Sequence, residues 1–144
     1  MDIVNKLKQL NIQCNKGVDF DIIEQYQRGL ARRNIPVIPL SYVRFLEKAN
    51  GITKDGLFLF GIKIESRDFV EDILQKNSVA GIAKNSDLIF LGDNSVEYLC
   101  YDWGQKSYLI INKIDKSKVA IFSIFEKAIV EFLKTYMKEE CCDK

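Results

Sequence analysis

The sequence predicts an α+β fold in one domain, and three observations predict it. Apolar residues recur at helical spacing over residues 20–50 and again over 123–136. Residues 88–112, LIFLGDNSVEYLCYDWGQKSYLIIN, instead hold three apolar runs separated by short polar breaks, as antiparallel strands joined by hairpins would. The chain has 144 residues, a common size for one domain, and 47% of them are hydrophobic, which is enough for a core.

The elements follow in order. Ile3, Val4, Leu7 and Leu10 share one helical face and predict a short first helix, broken near Cys14-Asn15-Lys16-Gly17. In the second helix Asp21, with Glu24 three residues on, fits an N-terminal cap. Ile22, Ile23, Tyr26 and Leu30 form its buried stripe, which leaves Arg28, Arg32 and Arg33 in solvent. Pro36 and Pro39 hold the next stretch extended, because each fixes its own φ and disfavours helix in the residue before it. A third helix starts after Pro39, with Tyr42, Phe45, Leu46 and Ala49 as its apolar face, and Asn50-Gly51 stops it.

LFLFGI, residues 57–62, reads as a strand whose Gly61 signals a bulge or a close backbone approach. Phe69, Val70, Ile73 and Leu74 have helical spacing and predict one or two turns, while Asn77-Ser78, Gly81 and Asn85-Ser86 read as loop. Residues 88–92, 95–101 and 107–112 are the three antiparallel strands, joined by Gly92-Asp93-Asn94 and by Trp103-Gly104-Gln105-Lys106. Alternation puts Val96, Tyr98 and Cys100 on one face and Glu97, Leu99 and Tyr101 on the other. Two nearly apolar faces imply helices over part of each side, or a face kept for contact. A brief strand at 119–122 follows a polar turn. The last helix opens at Ser123-Ile124-Phe125-Glu126, an S-x-x-E capping pattern, and buries Phe125, Ile129, Phe132, Leu133 and Tyr136. Residues 139–144, EECCDK, read as an untethered tail.

The net charge of +1 gives no basic excess for nucleic acid, and Arg28, Arg32, Arg33 and Arg44 resemble solvated helix faces, so no nucleic-acid partner is expected. The charge is uneven, however. Residues 1–56 carry nine Lys/Arg against six Asp/Glu, and residues 57–112 carry five against eight. The acidic excess falls on the strand segment, which could attract a basic partner. The four cysteines, Cys14, Cys100, Cys141 and Cys142, form no C-x-x-C pair and the chain has no histidine, so no metal site is expected. Free thiols, an opening MDIVNKLKQLN unlike a signal peptide, and no long apolar run lead to the expectation of a cytoplasmic protein with no membrane partner.

Without histidine no Ser-His or Cys-His nucleophile pair can be built, and no phosphate-binding glycine motif occurs. No catalytic residue and no cofactor is therefore assigned. Hydrolysis by two carboxylates needs only Asp and Glu, but spacing singles out no pair. The residues that invite a binding role are Asp93, Glu97, Asp102 and Trp103. Asp93 and Asp102 read equally as turn residues, whose short side chains bond their own backbone. Glu97 lies mid-strand among apolar neighbours. Trp103 either caps the core or projects as an interface anchor.

IPLSYVRFLEKANG, then LFLFGI, then LIFLGDNSVEYLCYD, then IFSIFEKAIVEFL resembles the SUKH superfamily, the group related to yeast regulators of cell-wall assembly and killer-toxin resistance. The matching positions are Pro39, Tyr42, Phe45, Leu46, Asn50, Gly51, Gly61, Gly92, Asp93, Tyr101, Asp102, Phe122, Ser123 and Phe125, within residues 20–135. The resemblance implies one domain over residues 1–144, with helices packed around a curved, mainly antiparallel sheet. It also implies a function. Many bacterial members resemble immunity proteins that bind and block a cognate toxin, often a nuclease or deaminase, without chemistry of their own. The alternatives are a non-enzymatic regulatory or interaction module outside toxin systems and, behind it, a carboxylate-dependent hydrolase.

Overall fold

The computed structural model describes residues 3–65, 69–79 and 87–142, with the side chains of Val79 and of residues 135–142 outside the description. Gly81, Asn85 and Ser86, the Tyr136 side chain and the Cys141 and Cys142 thiols therefore lie outside it.

The chain is an α+β domain built on one open antiparallel sheet. Three helices come first: α1 (Ile3–Gln9), α2 (Phe20–Arg32) and α3 (Leu40–Lys48). Strands β1 (Ile52–Lys54) and β2 (Leu57–Leu59) follow, then α4 (Ile73–Val79). The sheet continues with β3 (Leu88–Asp93), β4 (Glu97–Asp102), β5 (Ser107–Asn112) and β6 (Lys118–Phe122), and α5 (Phe125–Cys142) closes the described chain. Spatial order equals chain order, β1 to β6, and every neighbouring pair is antiparallel. Register shifts between Phe90 and Gly92 and between Ile110 and Ile111 add local twist, and the sheet curves.

Register assigns the faces. Ile89, Tyr101, Tyr108 and Phe122 stand in one row, and Phe90, Cys100, Leu109 and Ile121 in the next row on the opposite face. The first face meets the helical layer, where the Phe125 ring lies 5.4 Å from Tyr108 and edge-on to Tyr42 at 5.6 Å. On the second face Phe90, Cys100 and Leu109 are buried, yet Ile121 is 58% exposed. Helices thus leave the β6 flank open.

Several expectations change in detail. The α2 cap position is Asp19, two residues before Asp21, and its side chain makes no capping bond. The expected strand at 57–62 ends at Leu59, and a strand precedes it. Asp55 (φ 49°) and Gly56 (φ 84°) form the tight turn between β1 and β2, an Asp-Gly hairpin signal that the short, polar Ile52-Thr53-Lys54 obscured. Phe69 and Val70 precede α4 rather than opening it, and Asn77-Ser78, expected as loop, lie inside it. Asp93 belongs to β3, so Asn94 heads the turn; its Oδ1 accepts from the N–H groups of Val96 and Glu97 at 2.9 and 2.8 Å. The last helix starts at Phe125, after Ser123, and its backbone runs on through Cys142, into the segment expected as tail.

Three side-chain amides complete the backbone bonding where strands give out. Gln27 exchanges two hydrogen bonds with Ile38, Asn50 two with Ile62, and Asn77 two with Phe90, at 2.7–3.0 Å. Each amide presents one acceptor and one donor, as a residue of a neighbouring strand would. Asn50 and Asn77 are buried, so these bonds satisfy groups that water cannot reach.

Candidate functional site

The β4–β5 hairpin gathers two of the four candidate residues. Asp102 ends β4, and its Oδ1 accepts from the N–H of Gly104 at 2.9 Å and of Gln105 at 3.4 Å, which fixes the loop. Trp103 folds back. Its Nε1 donates to the Val37 carbonyl at 2.8 Å, and its ring stands edge-on to Tyr101 with centroids 5.1 Å apart. Its backbone N–H donates to the carbonyl of Asp87 at 3.1 Å. Trp103 therefore ties three segments together: the extended stretch set by Pro36, the entry to β3, and the hairpin.

It remains half-exposed all the same. Asn34, Ile35, Pro36, Val37, Asp87 and Trp103 line a shallow groove of about 380 Å³. Asp87, in the lining, has Asp102 as a neighbour beside the hairpin loop: a β-carbon on Gly104 would lie 2.8 Å from Asp87 Oδ2 and 3.2 Å from Asp102 Oδ1. Among the described residues no lysine or arginine forms a salt bridge with either carboxylate. The arrangement is an apolar trough with an aromatic wall and the Asp87 carboxylate in its lining, with the Asp102 carboxylate close to Asp87 across Gly104. It suits the side chain of a lysine or arginine, whose alkyl stem packs on Trp103 and Pro36 while its charge meets the carboxylates.

Asp93 and Glu97 lie elsewhere. Glu97 opens β4 opposite Asn112, so about 17 Å of strand separates it from Asp102. Asp93 is 7% exposed, and its Oδ2 lies 3.2 Å from the Lys113 ammonium, which also sits over the Tyr98 ring. Among the described residues its other oxygen has no hydrogen-bond partner. The fold does not bring the four residues into one site. It adds Asp87 and residues 35–37, which carry no motif. The hydrogen bonds of Trp103 to Val37, 66 positions away, and to Asp87 reveal them.

Burial pushes the Cys100 thiol up to about 12, with the charge of Asp102 adding to the effect, so the protonated thiol is favoured. Desolvation likewise raises the phenols of Tyr26, Tyr42 and Tyr108. Among the described residues no group of three or more Cys, Asp or Glu is placed to hold a metal ion, and no helix is long and apolar enough to cross a membrane. No family model matches this chain, and no curated protein does.

Proposed function

We propose that this protein works by covering another protein, as an immunity protein that neutralises a cognate bacterial toxin by occluding its active site in the cytoplasm. The observation that carries the reading is the ordered SUKH-like motif set over residues 20–135. Its support in the fold is that motif residues distant in sequence meet. Asn50 clamps Ile62 beside Gly61. Tyr42 places its hydroxyl 2.6 Å from the Phe60 carbonyl and 3.0 Å from that of Leu91. Phe125 packs on Tyr42 and Phe45. Such interlocking gives a physical reason for those residue types in that order.

The groove at Trp103 supports an electrostatic mode of binding. A nuclease needs cationic side chains for phosphate, and one of them would enter the trough beside Asp87, with the nearby Asp102 adding to the negative field. The groove is shallow and holds one carboxylate, Asp87, in its lining, whereas two-carboxylate hydrolysis needs a pair facing one cleft. A regulatory module outside toxin systems would use the same groove; toxin-specific protection separates the two readings.

The reading expects a toxin gene beside the gene for this protein. Co-expression with that gene's toxin domain should restore growth of the toxin-expressing strain, and the two chains should be captured together. Toxicity that persists while this protein accumulates in folded form rejects the immunity reading. The double substitution Asp87→Asn/Asp102→Asn removes charge and leaves an amide oxygen in place of the carboxylate oxygen that accepts from Gly104 and Gln105. It should weaken toxin binding ten- to a hundredfold, about 1.4–2.8 kcal/mol, with little change in melting temperature.

A further inference from the structure

We infer that a second groove, between α1, α3 and the start of α5, is a docking site for a partner's peptide segment that carries both carboxylates and apolar side chains. The groove has a volume of about 390 Å³, within the range of side-chain and small-ligand pockets. Its floor is apolar, made by Ile3, Phe45 and Phe125, and its rim is the row Leu40, Arg44 and Lys48. These three fall four residues apart on α3, so they stack along one face about 6 Å per step. It shares no lining residue with the groove at Trp103.

The charge selects the occupant. Arg44 and Lys48 are exposed, and among the described residues neither forms a salt bridge. Among the described residues Glu126 is the single acidic side chain lining the groove, so the lining carries a net positive charge beside an apolar floor. Leu40 is 62% exposed at the rim, and Ile124, next in sequence to Phe125, is 45% exposed. Two carboxylates one helical turn apart, or two residues apart on a strand, match the Arg44–Lys48 spacing. An apolar side chain between them would cover Leu40 and enter the trough. Single-stranded nucleic acid fits less well, because bases need open aromatic faces and Phe45 and Phe125 are 4% and 3% exposed.

Panning a randomised peptide library against the immobilised full chain tests this. Sequences that combine Asp or Glu with Leu, Ile, Phe or Trp should be enriched, and the strongest of them, resynthesised with a fluorophore, is the probe. Arg44→Glu/Lys48→Glu should weaken its binding at least tenfold, and Leu40→Ser should weaken it severalfold. Arg28→Glu, an exposed reversal on α2, should leave it within twofold. No enrichment, enrichment of basic sequences, or equal binding by the double variant overturns the inference. So does binding of single-stranded DNA or phosphatidylserine vesicles that the double variant loses while no peptide binds. The library contains no toxin, so failure here leaves the immunity reading standing, and failure of growth protection leaves this one standing.

Discussion

Asn77 shows how much one side chain can carry. Its amide satisfies both backbone groups of Phe90 and also donates to the Ile73 carbonyl at 2.8 Å. Asn77→Ala would leave the buried N–H and C=O of Phe90 without partners. The expected cost is about 2–6 kcal/mol, from about 1–3 for each stranded group, read as a lower urea midpoint. Two glycines separate conformation from space. Gly56 has φ 84°, and a β-carbon added there would meet nothing within 4 Å, so Gly56→Ala should cost only about 1 kcal/mol, the left-handed penalty. Gly61 lacks that dihedral, but its β-carbon would lie 2.4 Å from Asn50 Oδ1 and 2.9 Å from the Asn50 carbonyl. Gly61→Ala should therefore cost more, about 1–3 kcal/mol, because it also displaces the clamp on Ile62. Equal losses at the two positions would refute that distinction. The close approach at Gly61 was legible in the sequence as a glycine inside a strand pattern. The clamp at Asn77 was not, because Asn-Ser reads as loop wherever its partner is unseen.

Elements differ in how plainly the sequence announces them. Helices α2, α3 and α5 bury stripes long enough for the 3.6-residue period to show, and the sequence places each of them. Strand β1 has three residues, one of them buried, so period alone cannot find it; only the Asp55-Gly56 turn could have. The hairpin loop was legible at Asp102 and Trp103, yet the groove they build draws on the extended segment after α2, and no local pattern encodes that meeting. Strand β4 also sets a pH dependence. The Cys100 thiol ordinarily ionises at 9.0 and is held up to about 12 in the fold. Between those values the folded state keeps a proton that the unfolded state has lost, so stability falls as pH rises through that window. Tyr42 and Tyr108 act in the same direction from their ordinary value of 10.0. Urea midpoints should thus decline above pH 9, and Cys100→Ala should decline less steeply from its own lower starting point. A parallel decline in both would show that the thiol contributes nothing.

At the scale of the whole molecule, a meander with sequential strands leaves two edges, β1 and β6. Lys118 and the irregular pairing at Ile111 blunt the β6 edge against aggregation. Val119 and Ile121, more than half exposed, leave an apolar flank beside it. Charge is likewise divided: the first 56 residues are net basic and the following 56 net acidic. In the fold this appears as one groove rimmed by Arg44 and Lys48 and another lined by Asp87, with Asp102 nearby. Two oppositely charged, partly apolar grooves on a small framework suit recognition of proteins. The proposed function turns on the acidic groove taking a cationic side chain from a toxin. Its sharpest test is calorimetric titration of the adjacent-gene toxin domain into the wild-type protein and into Asp87→Asn/Asp102→Asn. The wild-type protein should bind tightly, and the variant should lose ten- to a hundredfold in affinity, a loss that shrinks as salt is raised. Equal affinities, with both proteins folded, would contradict it.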